Sequence, residues 1–136
     1  MAIGKFSEDL KSYQDYLFKN ETVVANNTTA STVRQVGGTQ ASLEVVVVVG
    51  DTDIIIADAK ALTISLKGSE TEAGTFTDVA SLYELTASGA TTLKSGAELA
   101  RYVVKPSDPL YGKLEVVNND TALTGTVEAY IRAIYR

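Results

Sequence analysis

Leu43-Glu44-Val45-Val46-Val47-Val48-Val49-Gly50 decides the fold class. Five consecutive β-branched side chains lose χ1 freedom in a helix and fit a pleated surface, so the run predicts a strand, stopped by Gly50. An ordinary antiparallel strand alternates, because one of its faces meets water. This one does not, so both faces need cover. Two sources of cover stand open: a neighbouring loop or arm lying across the outer face, or an oligomer or partner interface. Left bare, an uncharged run without proline invites edge-to-edge association.

Outward from the valines, period-2 patterns recur. Leu62, Ile64 and Leu66 alternate with Thr63, Ser65 and Lys67, which predicts a half-buried strand over Ala61 to Lys67. A polar turn from Gly68 to Gly74 leads to a short returning strand, Thr75 to Asp78, and Leu82 to Thr86 forms another. Leu99 to Val104 is a strand ended by Pro106 and Pro109, which withhold backbone donors and fix φ. Leu114 to Val117 follows, closed by Asn118-Asn119-Asp120. In the last element Val127, Ala129, Ile131, Ala133 and Tyr135 form one face, and Thr126, Glu128, Tyr130, Arg132 and Ile134 the other. Extended chain with β potential occupies Thr22–Ala25 and Thr32–Val36.

Short strands between turn signals predict an all-β, antiparallel jelly roll or β-sandwich. Parallel α/β topologies lack their helices here. Residues 15–136 are read as one jelly-roll domain and residues 1–14 as an N-terminal arm. In that arm Phe6, Leu10, Tyr13 and Leu17 fall at helical spacing behind a Ser7 cap, so a short helix from about Ser7 to Tyr16 is expected. Its stripe either packs on the domain or, with Phe6, Tyr13, Tyr16 and Phe18, docks another subunit.

Composition narrows function. The chain has 136 residues with 12 Lys plus Arg against 17 Asp plus Glu, a net charge of -5, so cations to displace counterions from a phosphate backbone are in deficit and direct nucleic-acid binding is not expected. Histidine, cysteine and tryptophan are absent, which removes the triad base, the thiol nucleophile, Cys/His zinc sets and disulfides. No segment approaches the roughly 20 apolar residues of a membrane span. The N-terminal residues carry no signal-peptide pattern, so the four N-x-Thr sequons at Asn20, Asn26, Asn27 and Asn119 are read as polar surface.

Candidate chemistry is sparse. Asp51, Asp53 and Asp58 invite a calcium reading, but an EF-hand spacing puts the apolar Ile55 and Ile56 where an oxygen ligand and a glycine belong. A carboxylate pair for glycoside hydrolysis lacks any further signature. Ser65 and Lys67 share a strand face, as any polar outer face would have them. The glycines fall between strands and make no phosphate-binding loop. No cofactor, metal or catalytic residue is expected.

The order of elements then resembles a known family. Tyr16-Leu17-Phe18 followed by extended chain, Ala30-Ser31-Thr32 and Gly37; Leu62-Thr63-Ile64-Ser65-Leu66-Lys67-Gly68-Ser69, a polar turn and Gly74-Thr75-Phe76-Thr77-Asp78; Arg101-Tyr102-Val103-Val104, a Pro- and Gly-containing loop and Lys113-Leu114-Glu115-Val116 together resemble the tailed-phage capsid cement, or decoration, proteins. The resemblance spans residues 15–136 at the level of pattern. It departs where the family carries a polar Ser-Asp-x-Gln run and this chain has Lys19-Asn20-Glu21-Thr22, and in the residues before Asp15.

The resemblance implies a jelly-roll protein made in the bacterial cytoplasm and carried on the outer capsid surface of the virion. There it would bind the major capsid protein, tie neighbouring capsomers together, and pair with itself, as a homodimer rather than a homotrimer. No catalysis is implied. Phe6, Tyr13, Tyr16, Phe18, Val45, Val47 and Val49 are the candidate oligomer or capsid contacts. The alternatives are another virion β protein, such as a head fibre base or tail component, a carbohydrate-binding β-sandwich, and a small hydrolase on the same fold.

Overall fold

The computed structural model describes residues 16–37 and 42–134. Eleven strands occur there: β1 (Tyr16–Thr22), β2 (Thr28–Ala30), β3 (Arg34–Gln35), β4 (Ser42–Val49), β5 (Ile54–Ile56), β6 (Ala61–Ser69), β7 (Thr77–Thr86), β8 (Thr91–Leu93), β9 (Glu98–Val103), β10 (Tyr111–Asn118) and β11 (Thr126–Ile134). There is no helix among the described residues. The helix expected over Ser7 to Tyr16 lies outside them apart from Tyr16, which opens β1.

Two antiparallel sheets form the sandwich, one in the order β1-β11-β4-β9 and one in the order β2-β10-β6-β7, with β3 extending the β2 edge along β10. A two-stranded ribbon, β5 with β8, forms a third small sheet, and its Ile54 and Ile56 are buried in the core. Counting β2 and β3 as one strand and setting the ribbon aside leaves eight main strands. First pairs with eighth (β1, β11), second with seventh (β2, β10), third with sixth (β4, β9) and fourth with fifth (β6, β7). A long hairpin rolled up on itself produces this pairing, which is the winding of a jelly roll.

The central pairings are regular, and three of the outer ones are not. β4 runs against β11 from Ser42↔Ile134 to Val49↔Val127, and β6 against β10 from Leu62↔Asn118 to Ser69↔Tyr111, with no slip in either. Register shifts interrupt β1 on β11, β9 on β4 and β7 on β6. Bulges at edge strands increase local twist and turn unpaired backbone groups away from a second sheet.

Between the sheets lies one core, which takes Val45, Val47 and Val49 from β4, Leu62, Ile64 and Leu66 from β6, Leu114 and Val116 from β10, and Val127, Ala129 and Ile131 from β11. Leu17 and Phe18 of β1 join it, because the bulge there turns two consecutive side chains inward. Gly125 is required where the last turn crosses β5. Its φ is +132°, and a Cβ there would sit 2.6 Å from the Ile54 Cα.

Short polar side chains close the loops. Asn118 accepts from the Asn26 and Asp120 amides and donates to the Val24 carbonyl, at 2.8, 3.1 and 2.8 Å. Asp120 accepts from the Ala57 and Ala122 amides at 2.8 and 2.9 Å. Both side chains are buried, and these bonds satisfy them.

Several elements differ from the sequence reading, among them the extended chain expected over Thr22–Ala25, where β1 ends at Thr22 and β2 begins at Thr28. Thr75–Asp78 and Leu82–Thr86 are not two strands: residues 77–86 form the single strand β7, whose two register shifts disturb the alternation that would have joined them. β6 runs on to Ser69, past the expected turn at Gly68. The ribbon of β5 and β8 was not expected, since three-residue strands carry too few positions to show a period.

Candidate interaction surface

The valine run resolves by alternation after all. Val45, Val47 and Val49 point into the sandwich, while Glu44, Val46 and Val48 point out. Val46 is nonetheless only 1 % exposed. Across the sheet it lies between Tyr130 of β11 and Arg101 of β9. Two large side chains from neighbouring strands thus flank the outward valine; of the two sources of cover expected from the sequence, the arm lies outside the described residues.

Three rows of outward residues cross this face. The middle row is Tyr16, Tyr130, Val46 and Arg101, the second is Arg132, Glu44 and Val103, and the third is Glu128, Val48 and Glu98. The Tyr16 and Tyr130 rings meet edge to face with centroids 6.2 Å apart, and the Lys19 ammonium sits 5.8 Å from the Tyr16 ring centre. Burial raises the Tyr16 phenol above its ordinary range, and the Glu128 charge adds to that rise.

Glu44 anchors the face. Its Oε1 accepts from Arg132 Nε at 2.8 Å and from Arg101 Nη1 at 3.0 Å, with the carboxylate side chain 7 % exposed and the arginines 41 % and 42 %. Arg101 also donates to Glu98 at 2.5 Å. That bond holds the Glu98 carboxyl below its usual range and raises the Arg101 guanidinium. One buried carboxylate between two half-exposed guanidiniums fixes both arginines in place on the surface.

The outer face of the second sheet is different in kind. Thr63, Ser65 and Lys67 of β6 lie beside Glu84, Ser81 and Asp78 of β7 and beside Val117, Glu115 and Lys113 of β10. Lys67 pairs with Asp78 and, at 3.9 Å, with Glu115, and Lys113 lies 3.6 Å from Glu115 and over the Phe76 ring. The hydrogen bond to Asp78 raises the Lys67 ammonium. These charges are paired within the sheet, Lys67 across strands and Lys113 along β10.

The candidate contacts from the sequence separate accordingly. Phe18, Val45, Val47 and Val49 are at most 1 % exposed and line the core, so their surface is already taken up inside the fold. Phe18 turns inward at the bulge, and the three valines occupy the inner positions of the pleat. Tyr16 is half-buried on the outer face. Phe6 and Tyr13 lie outside the described residues. Tyr130, Arg101, Arg132 and Glu44, which join Tyr16 there, are brought together only by the pairing of β4, β9 and β11. The outward face of the last strand, with Glu128, Tyr130 and Arg132 alternating, was the signal for half of them.

The acids that invited a calcium reading serve loops. Asp53 accepts from the Ser95 amide and Asp58 from the Gly89 amide, both at 2.7 Å, and Asp51 from the Thr52 hydroxyl at 3.3 Å. Tyr102 donates to Asp108 at 2.7 Å; burial and then that bond push its phenol up to about 12. A crevice beneath Pro109, lined by Val36, Leu66 and Val79, encloses about 10 Å³, space for one water.

Fold and surface define a jelly-roll β-sandwich whose two outer faces differ, one tyrosine- and arginine-bearing and one of hydroxyls and paired charges. No family model matches the chain, and no curated protein matches it. Among solved structures it is similar to PirA, at 16 % identity and TM-score 0.40 over 85 % of this chain and 94 % of that one. It is similar to the PBSX exported protein XepA, at 14 % identity and TM-score 0.47 over 91 % of this chain and 37 % of that one. A pentameric capsid protein from metagenomic phage sequences is similar at 16 % identity and TM-score 0.39, over 98 % of this chain and 78 % of that one. No residue role passes from these proteins to this chain.

Proposed function

We propose that this chain is a capsid cement protein of a tailed phage, which binds the outer surface of the assembled head as a homodimer and ties neighbouring major-capsid-protein capsomers together. The observation that carries the reading is the sequence resemblance over residues 15–136. Its stretches fall on consecutive parts of the jelly roll: Leu62–Ser69 in β6, Thr77-Asp78 opening β7, Arg101–Val103 closing β9 and Lys113–Val116 in β10.

The role needs no catalysis. A protein that binds the expanded shell and not its precursor lowers the free energy of the expanded state by mass action, by RT ln(1 + [L]/Kd) per site. Repeated over symmetric sites and bridging two capsomers at each, small gains sum to a large resistance against internal pressure.

Co-sedimentation with expanded heads that lack the protein, with unexpanded proheads beside them, tests the reading. Saturable binding to expanded heads alone, at a stoichiometry matching a symmetry site, is the expected result. Binding to neither shell would overturn it in favour of another virion part or a glycan-binding module.

A further inference from the structure

Among the two outer faces, that of the β1-β11-β4-β9 sheet carries a pattern that complements itself. Along β11 the outward residues are Glu128, Tyr130 and Arg132, an acid and a base at equal distances on either side of a tyrosine. Residues two apart on a strand stand about 7 Å apart, and two packed sheets lie about 10 Å from each other, within reach of Glu and Arg side chains. A twofold axis lying across the strands at Tyr130 reverses the order of the charges. It brings each Glu128 opposite an Arg132.

We propose that this face pairs with the same face of a second copy about that axis, Tyr130 against Tyr130 and Glu128 of each chain against Arg132 of the other. The proposal rests on the homodimer of the reading above and assigns its surface. The middle row, Tyr16, Tyr130, Val46 and Arg101, lies along the axis, so tyrosine meets tyrosine at the centre. Tyr and Arg are the residue types concentrated at the centres of protein interfaces. Arg101 faces its own counterpart with its charge balanced by Glu44 and Glu98. A closed isologous pair follows, with the same residues contributed from each side.

The opposite face carries no such arrangement about a tyrosine: along β10 it shows Lys113, Glu115 and Val117, and along β6 Thr63, Ser65 and Lys67.

Charge reversal and mixing test the pairing. By light scattering at about 10 µM the full chain is expected at dimer mass and Glu128→Arg at monomer mass, with dissociation at least tenfold easier. Arg132→Glu is expected to be monomeric too. An equimolar mixture of the two returns to dimer mass, because a chain with two arginines then meets a chain with two glutamates. Thermal melts establish that each variant is folded; if Arg132→Glu does not melt cooperatively, having left Glu44 with one partner, Arg132→Gln replaces it in the mixture. A monomeric parent, variants as dimeric as the parent, or folded variants whose mixture stays monomeric would each overturn the pairing. Head co-sedimentation on the same samples separates the two claims. A monomeric parent that still binds expanded heads rejects this pairing and keeps the cement role, whereas a dimer that Glu128→Arg splits, but that binds no head, does the reverse.

Discussion

β4 and β6 hold equivalent places in the two sheets, each zipped without a slip along a late strand, β11 or β10, yet one is a valine run and the other alternates. Their inner faces are alike: Val45, Val47 and Val49 on one side of the core meet Leu62, Ile64 and Leu66 on the other. Their outer faces differ. On β6 the outward positions are Thr63, Ser65 and Lys67, which water and ion pairs suit, while on β4 they are Glu44, Val46 and Val48 among Tyr130, Arg101 and Arg132. An unbroken apolar run, then, marks a strand whose outward side chains have large neighbours, here Tyr and Arg of the adjacent strands, whose stems and rings are apolar.

If the inner faces are equivalent, a charge should be equally ruinous on either. Val47→Lys and Ile64→Lys each place an ammonium at a site of 0 % exposure, and each is expected to cost more than about 4 kcal/mol and to abolish the cooperative thermal transition. A folded Val47→Lys protein would break the comparison at its base.

The outer faces should part company under truncation. Glu44→Ala leaves Arg101 and Arg132 without their shared carboxylate and is expected to cost about 2 kcal/mol in chemical denaturation, less than a fully buried pair because both guanidiniums reach solvent. Lys67→Ala on the other face is expected to cost less than Glu44→Ala does, because its partner Asp78 is open to solvent. Equal losses would show that the two faces are built alike.

A smaller effect concerns the Asp120 loop. The Ala57 and Ala122 amides hold the Asp120 carboxyl below the usual carboxylate range. Its contribution is therefore complete above the ordinary carboxylate pKa and is lost as pH falls through the lowered value in the folded chain. Melting temperature against pH should flatten over that acid range in Asp120→Asn; an unchanged slope would remove Asp120 from the account.

What the sequence disclosed follows the same division. Strand identity was legible wherever a period of two survived, as in Leu62 to Leu66 and Val127 to Ile131, and the jelly-roll class came from those strands together. The winding required pairings such as β1 with β11 that no local pattern reports. Phe18 illustrates the limit: an aromatic near an expected arm reads as a contact, and only the bulge in β1 shows that it is core. The face that carries Tyr16, Tyr130, Arg101 and Arg132 was half legible, in the alternation of β11. The remainder depended on β9 lying beside β4, which is a tertiary fact.

A cement protein stabilises the expanded head that it binds. Heating expanded heads that lack this chain, with and without added protein, and following release of their DNA tests the proposed role. The expected result is a release temperature that rises with protein concentration and levels off when the sites are full. A release temperature that does not move at saturating protein would contradict it.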